Sequence, residues 1–215
     1  MLKIVATPIG NLKDITLRAI EALKTADVII CEDTRETIKL LKAYEIPPKQ
    51  LLSFYEEVET QKQDEILKLI QDDNVRGVLV SDAGTPLISD PGFKLVRQAL
   101  RNGIKVEAIP GPTAAITALT ISGLPPDKFL FMGYPPEKQS HQKKVLEDLP
   151  KKVTVIFYVS PHKITRFLTN LDPNQEIVIC RELTKLYEER WSGTVSAALI
   201  KFKQPKGEFV VLWHT

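Results

Sequence analysis

Glycine-rich nucleotide fingerprints are missing from this chain. No GxGxxG or GxGxG follows its first apolar run, and no GxxxxGK[ST] occurs, which excludes the usual Rossmann turn and the P-loop. Metal-ligand spacing is missing too: His141, His162 and His214 are scattered and no cysteine pairs with them, so no metal is expected. No GxSxG or Ser/His/Asp set points to acyl transfer. Cysteine is scarce. Cys31 and Cys180 each close an apolar run (DVIIC, EIVIC) and read as core strand residues, with no disulfide framework and a reducing compartment implied. No apolar run approaches membrane-spanning length and no signal pattern opens the chain, so a cytoplasmic protein with no membrane partner is expected. Charge of one sign is also lacking. The 29 Lys and Arg against 27 Asp and Glu leave a net +2, too balanced for nucleic-acid binding by bulk electrostatics, although a local stripe would be enough.

What the chain does have is length for a real core (215 residues, 43% hydrophobic, 26% charged) and a regular alternation of apolar runs with helical periodicity. Strands are expected at Leu2–Ala6, Val28–Cys31, Leu51–Phe54, Val78–Val80 and Val106–Ile109. Helices are expected at Thr16–Lys24 (Leu17, Ile20, Ala22 and Leu23 inward), from Glu32 to about Tyr44, at Thr60–Asp72 and at Phe93–Leu100. Near-continuous apolar strands of this kind suit a mostly parallel sheet. Past the Pro110-Gly111-Pro112 corner the texture changes. A small-residue helix at Thr113–Ile121 is followed by strands at Phe129–Met132, Val153–Tyr158, Ile177–Cys180, Glu188–Ser192 and Glu208–Trp213. Helices there are expected at Lys138–Leu149, after a Ser160-Pro161 cap, and at Thr194–Lys201. The reading is an α/β chain of two α/β domains, 1–111 with a mostly parallel sheet and 112–215 with a mixed one.

The densest run of turn formers is SDAGTPLISDPG, Ser81 to Gly92, between an apolar strand and a helix. Open α/β sheets place ligands at such strand ends. The plain alternative is structural: Asp90-Pro91-Gly92 is a good helix start and Asp82-Ala83-Gly84 a tight turn. Glu32-Asp33-Thr34-Arg35 stands at the end of the second strand. Asp33-x-x-Glu36 has capping-box form, whereas Arg35 is not needed for a cap and could hold phosphate bidentately. The Lys138, Lys143, Lys144, Lys151 and Lys152 set is interrupted by Glu137, Glu147 and Asp148 and reads as a solvated face.

TPIGNLKDITLRA (7–19), EDTR (32–35), SDAGTPLISDPG (81–92), PGPTAAITAL (110–119), GLPPDKF (123–129), RELTK (181–185) and KGEFVV (206–211) occur in this order along essentially the whole chain. Together they resemble the tetrapyrrole-methylase superfamily, and within it the ribosomal RNA small-subunit methyltransferase I branch. The resemblance implies two α/β domains with a cleft that binds S-adenosylmethionine (SAM), releases S-adenosylhomocysteine, and belongs to a homodimer. It implies methylation of a cytidine ribose 2′-hydroxyl in small-subunit ribosomal RNA. The branch also carries a helical C-terminal extension, which is absent up to Thr215, and a His/Asn-rich segment where this chain has Phe54-Tyr55-Glu56-Glu57-Val58-Glu59. Other acceptors in the superfamily leave a tetrapyrrole C-methyltransferase as one alternative and a non-catalytic SAM-binding factor as another.

On that resemblance, donor contacts are expected from Pro8, Ile9, Asp82, Gly84, Thr85, Leu87, Ile88, Thr113 and Ala114, and from Tyr158, Leu183 and Gly207. Free N–H groups at the start of the Thr113 helix suit a carboxylate or an adenine edge. Ala114, Ala115 and Ala118 would equally serve close helix packing. Arg35, Thr34, Arg181 and Glu182 are the expected substrate contacts. Asp33 or Glu32 is the expected base, with Lys185 or Arg35 lowering the hydroxyl pKa.

Overall fold

Five four-residue strands build the first sheet: β1 (Leu2–Val5), β2 (Val28–Cys31), β3 (Gln50–Ser53), β4 (Gly77–Val80) and β5 (Val106–Ile109). This computed structural model describes every residue except Asp73, and residues 56, 57, 58 and 60 by their backbone alone. The chain divides into two compact units, Met1–Thr113 and Ala114–Thr215, just past the Pro110-Gly111-Pro112 corner.

In the first unit the strand order is β3-β2-β4-β1-β5, with every pair parallel. The intervening helices are α1 (Leu17–Thr25), α2 (Thr34–Ala43), α3 (Glu56–Ile70) and α4 (Phe93–Arg101). The first two connections run one way along the sheet and the next two run back. Right-handed crossovers therefore put α1 and α2 on one face and α3 and α4 on the other. The cores agree. Leu23 and Leu41 pack with Ile29 and Val78 on one face, and Ile66, Ile70 and Leu95 pack with Ile30 and Leu79 on the other. Both faces are covered, which is why the inner strands β2 and β4 are wholly apolar. Cys31 lies within this core as a free, buried thiol.

Three expectations shift. Leu17, expected inward, is 79% exposed. Thr16 caps α1 by accepting from the Ala19 N–H at 3.1 Å, and this phase gives the buried stripe to Ala19, Ala22 and Leu23. The helix expected from Thr60 begins at Glu56, and part of the Phe54–Glu59 segment lies outside the described side chains. Asp90 is not the N-cap of α4; that position is Gly92, at φ 120°.

The second unit has strands β6 (Phe129–Phe131), β7 (Thr154–Val159), β8 (Glu176–Arg181), β9 (Glu189–Thr194) and β10 (Phe209–His214) in the order β6-β7-β10-β8-β9. Only β6 and β7 are parallel; the other pairs are antiparallel. One face packs Phe157, Phe167, Val195 and Trp213 with α7 (Ile164–Leu168) and α8 (Val195–Lys201). The Phe157 and Trp213 rings stack at 5.6 Å with 5° between planes. On the other face lies α5 (Ala114–Ser122), whose Ala118 carbonyl is 4.0 Å from the free, buried Cys180 thiol. A polar helix, α6 (Gln139–Glu147), joins β6 to β7. The expected Ser160 cap is not used: α7 starts later, from Lys163. Among the described residues no helix is long and apolar enough to cross a membrane.

Phe157→Ala should cost about 3–5 kcal/mol, because a stacked, fully buried aromatic ring is replaced by a cavity. Both tryptophans lie in this unit, so denaturant titration followed by tryptophan fluorescence reads the loss directly.

Candidate functional site

The chain leaving β4 goes to the opposite sheet face from the chains leaving both its neighbours, β2 and β1. That divergence is a topological switch point, where an open α/β sheet forms a crevice beyond its strand ends. The Ser81–Gly92 loop starts there and is bonded to the strand ends beside it. Thr7 and Gly84 exchange both backbone hydrogen bonds, at 2.8 and 3.0 Å, in an isolated antiparallel bridge. Thr7 Oγ1 donates to the Ser81 carbonyl at 3.2 Å. On the β2 side the Asp33 N–H donates to Asp82 Oδ1 at 3.0 Å. On the β5 side Thr85 Oγ1 donates to the Pro112 carbonyl at 3.0 Å. Pro8, Ile9, Asp82, Gly84, Thr85 and Thr113 thus gather around one rim, with Ile9 buried. Leu87 and Ser89 hold φ of 72° and 67°, a left-handed conformation that side chains adopt only when the surroundings impose it. Ile88 between them is exposed.

Two carboxyls of this loop are displaced from ordinary behaviour. Burial pushes Asp90 up to about 6, with a Ser81 hydrogen bond opposing it. Burial of the Asp82 carboxyl also raises it, and the bond from the Asp33 N–H acts the other way.

Asp33 is the N-cap of α2 and accepts from the Arg35 N–H at 2.8 Å. It is also clamped by the Arg35 guanidinium, with Nη2 to Oδ2 at 2.6 Å and Nε at 3.0 and 3.1 Å from the two oxygens. Those side-chain bonds lower Asp33 to about 2. A carboxylate so stabilised is a poor proton acceptor at neutral pH, so the geometry suits Asp33 to orienting Arg35. The Arg35 side chain remains 83% exposed despite the clamp. Thr34 opens α2.

In the second unit Ala114 begins α5, and the Ala115 N–H donates to the Tyr158 hydroxyl at 3.0 Å. One helix-start donor expected to be free is therefore taken. The Tyr158 ring meets Phe131 edge-on at 4.8 Å. After β8 the chain turns sharply at Glu182 and Thr184, with φ of 52° and 63°, around a buried Leu183. Gly207 approaches so closely that a Cβ there would lie 2.5 Å from Glu182 Cγ. Lys185 Nζ sits between Glu182 Oε1 at 2.9 Å and Glu208 Oε2 at 2.8 Å. Burial alone would lower this lysine, but the two carboxylates outweigh it and hold it above its ordinary value. Burial likewise pushes Glu182 up, and its bonds from Lys185 and the Glu208 N–H reverse that to a net lowering. Lys185 is thus a fixed, compensated cation. Arg181 pairs with Glu189 at 3.2 Å.

Sequence reasoning passed over Asp90 as a half-buried carboxyl of the loop and missed Thr7, Ser81 and Glu59 as supports of the loop. Asp90 had one visible signal, a second Asp in the same loop.

The Asp90 shift sets a pH dependence. Its folded pKa of about 6 lies above the ordinary carboxylate value of about 4. Between these values the folded chain keeps a proton that the unfolded chain releases, so stability falls as pH rises through that window. Asp33 acts in the opposite sense, losing its contribution as pH falls toward about 2. Thermal melts from pH 4 to 6 should show a fall in Tm that Asp90→Asn flattens.

A family profile described as Tetrapyrrole (Corrin/Porphyrin) Methylases matches residues 1–199. Relatives named ribosomal RNA small subunit methyltransferase I include the protein of Halalkalibacterium halodurans, 46% identical over 98% of this chain and 74% of its own length. That of Thermotoga maritima is 43% identical over 97% and 96%, and that of Vibrio cholerae 45% over 100% and 77%. Among solved structures, a diphthine synthase superposes with a TM-score of 0.76 at 14% identity, over 99% of this chain and 89% of the other. A uroporphyrin-III-C-methyltransferase from Thermus thermophilus gives 0.68 at 19%, over 99% and 93%. These two likenesses concern the fold. With the profile spanning both units and relatives above 40% identity along nearly the whole chain, this protein belongs to the tetrapyrrole (corrin/porphyrin) methylases, in the group of the ribosomal RNA small subunit methyltransferase I proteins.

Proposed function

We propose that this chain is a SAM-dependent methyltransferase that modifies the ribose 2′-hydroxyl of a cytidine in small-subunit ribosomal RNA, working as a homodimer. The observation that carries the reading is the full-length similarity, at 43–46% identity, to proteins named for methylating that RNA. The residues present suit the donor. SAM carries a sulfonium and an ammonium, and the switch-point loop offers two carboxyls, Asp82 and Asp90, that burial and, to a lesser degree, neighbouring carboxylates have pushed up. A cation beside them would draw both back toward the charged form. Bound SAM supplies a methyl group activated by positive charge on sulfur.

The chain's own work is alignment and proton handling. Holding an acceptor oxygen in line can be worth roughly 7–11 kcal/mol, and removing its proton to a base roughly 10²–10⁴-fold in rate. With Asp33 held by Arg35, Glu32 at the end of β2 is the base we assign. The exposed Arg35 guanidinium, pre-oriented by Asp33, is suited to a phosphate oxygen of the RNA. Lys185, fixed between Glu182 and Glu208, orders the turn after β8 that follows Arg181. Pro8, Ile9, Gly84, Thr85, Leu87, Ile88, Thr113, Ala114, Tyr158, Leu183 and Gly207 are the remaining donor contacts of this reading.

Incubation with methyl-labelled SAM and small ribosomal subunits should place label on one ribose 2′-oxygen; label on a porphyrinoid instead, or none at all, overturns the reading. In single-turnover assays with SAM bound, Glu32→Gln should slow methylation by about 10²-fold or more. Arg35→Ala should weaken RNA binding across sequences and reduce the log–log salt slope by about 1, as expected for one lost phosphate contact.

A further inference from the structure

Glu59 lies in the first half of α3, on the sheet face that this helix shares with α4, and is 6% exposed. A carboxylate buried so deeply costs several kcal/mol unless its charge and lone pairs are met. Its partners both belong to one place. Oε1 accepts from the Gly92 backbone N–H at 3.2 Å, and Oε2 faces Lys94 Nζ at 3.5 Å.

Gly92 is the last residue of the switch-point loop and the N-cap of α4, a position with no side chain to cap the helix. Its φ of 120° and the 2.9 Å that would separate a Cβ from Leu79 Cδ2 exclude any residue that could cap from there. Glu59 supplies the missing negative charge from the neighbouring helix, where a helix N-terminus favours it. The loop is thereby held at both ends. Thr7 and Gly84 fix its beginning, Glu59 fixes its close, and the left-handed residues Leu87 and Ser89 lie between. Such a backbone persists only where its ends are constrained.

We propose that Glu59 is a positioning residue for methyl-donor binding: it locks the closing end of the 81–92 loop, and the locked loop sets the affinity for SAM. The inference rests on the donor reading above. It also explains why a charged side chain is buried far in sequence from every expected site residue on that loop.

The test pairs amide hydrogen exchange of the donor-free protein with calorimetric binding of SAM and S-adenosylhomocysteine. In Glu59→Ala, exchange of the amides from Gly84 to Gly92 should speed up by about tenfold or more while the β1 and β4 amides keep their protection. Both ligands should bind about tenfold more weakly. With saturating SAM, kcat should stay within about threefold of the parent, so the loss falls on KM. Glu59→Gln keeps an acceptor for the Gly92 N–H and should restore most of the exchange protection and affinity. Unchanged loop exchange or unchanged affinity in Glu59→Ala, with only Tm lowered, would reduce Glu59 to a packing role and overturn the proposal. Should Glu59→Ala fail to fold, Glu59→Asp, one methylene short of Gly92, takes its place with the same expected and overturning results. If the parent protein binds neither ligand, the donor reading falls, while loop exchange still decides whether Glu59 holds the loop.

Discussion

The paired backbone hydrogen bonds between Thr7 and Gly84 are the constraint on which the rest of the first unit's rim depends. They join the chain leaving β1 to the chain leaving β4, two neighbouring strands whose continuations turn to opposite sheet faces. Without them the loop after β4 would have only its covalent ends to hold it. With them, Ser81, Asp82 and Thr85 are each within reach of a partner on an adjoining strand end, and the loop acquires one backbone course. The left-handed Leu87 and Ser89 lie on that course, before Gly92 opens α4.

Charge on the same rim is sorted by environment. Asp33 caps α2 and is clamped by Arg35, which holds it low, so it stays an anion and orients a guanidinium. Asp82 and Asp90 are raised by burial instead. Three carboxyls within one loop cluster therefore have two different characters. That division is what a site needs if it is to present a cation to RNA phosphate and also receive a cationic donor.

The second unit achieves rigidity by another route. The turn after β8 places Glu182 and Thr184 in the left-handed region, and the cost is offset by Lys185 between two carboxylates and by the bond from the Glu208 N–H to Glu182. Gly207 is required for this approach, because any side chain there would occupy the space of Glu182. The charged run after β8 is thus tied together by ion pairs and a backbone hydrogen bond.

Much was legible in the residues alone. Apolar runs gave β1, β2, β4 and the strands around Cys180 and Trp213, since a strand covered on both faces has few polar positions to blur it. Motif order carried the family, and turn chemistry placed the loop of Ser81 to Gly92. Helix phase was less legible: Leu17 and Ala19 differ by half a turn, and the Thr16 cap, not hydrophobicity, chose between them. The sequence by itself determined the alternation of strand and helix, the chemistry available to each turn, and the kinship. Only the tertiary structure decided which polar groups are partners, the backbone N–H groups of Asp33 and Gly92 included. Asp33 with Asp82, Glu59 with Gly92 and Lys185 with Glu208 are far apart in the chain, and strand order and helix packing alone bring them together. Whether a carboxyl is base, clamp or buried support follows from that proximity, because pKa and desolvation are set by neighbours in space.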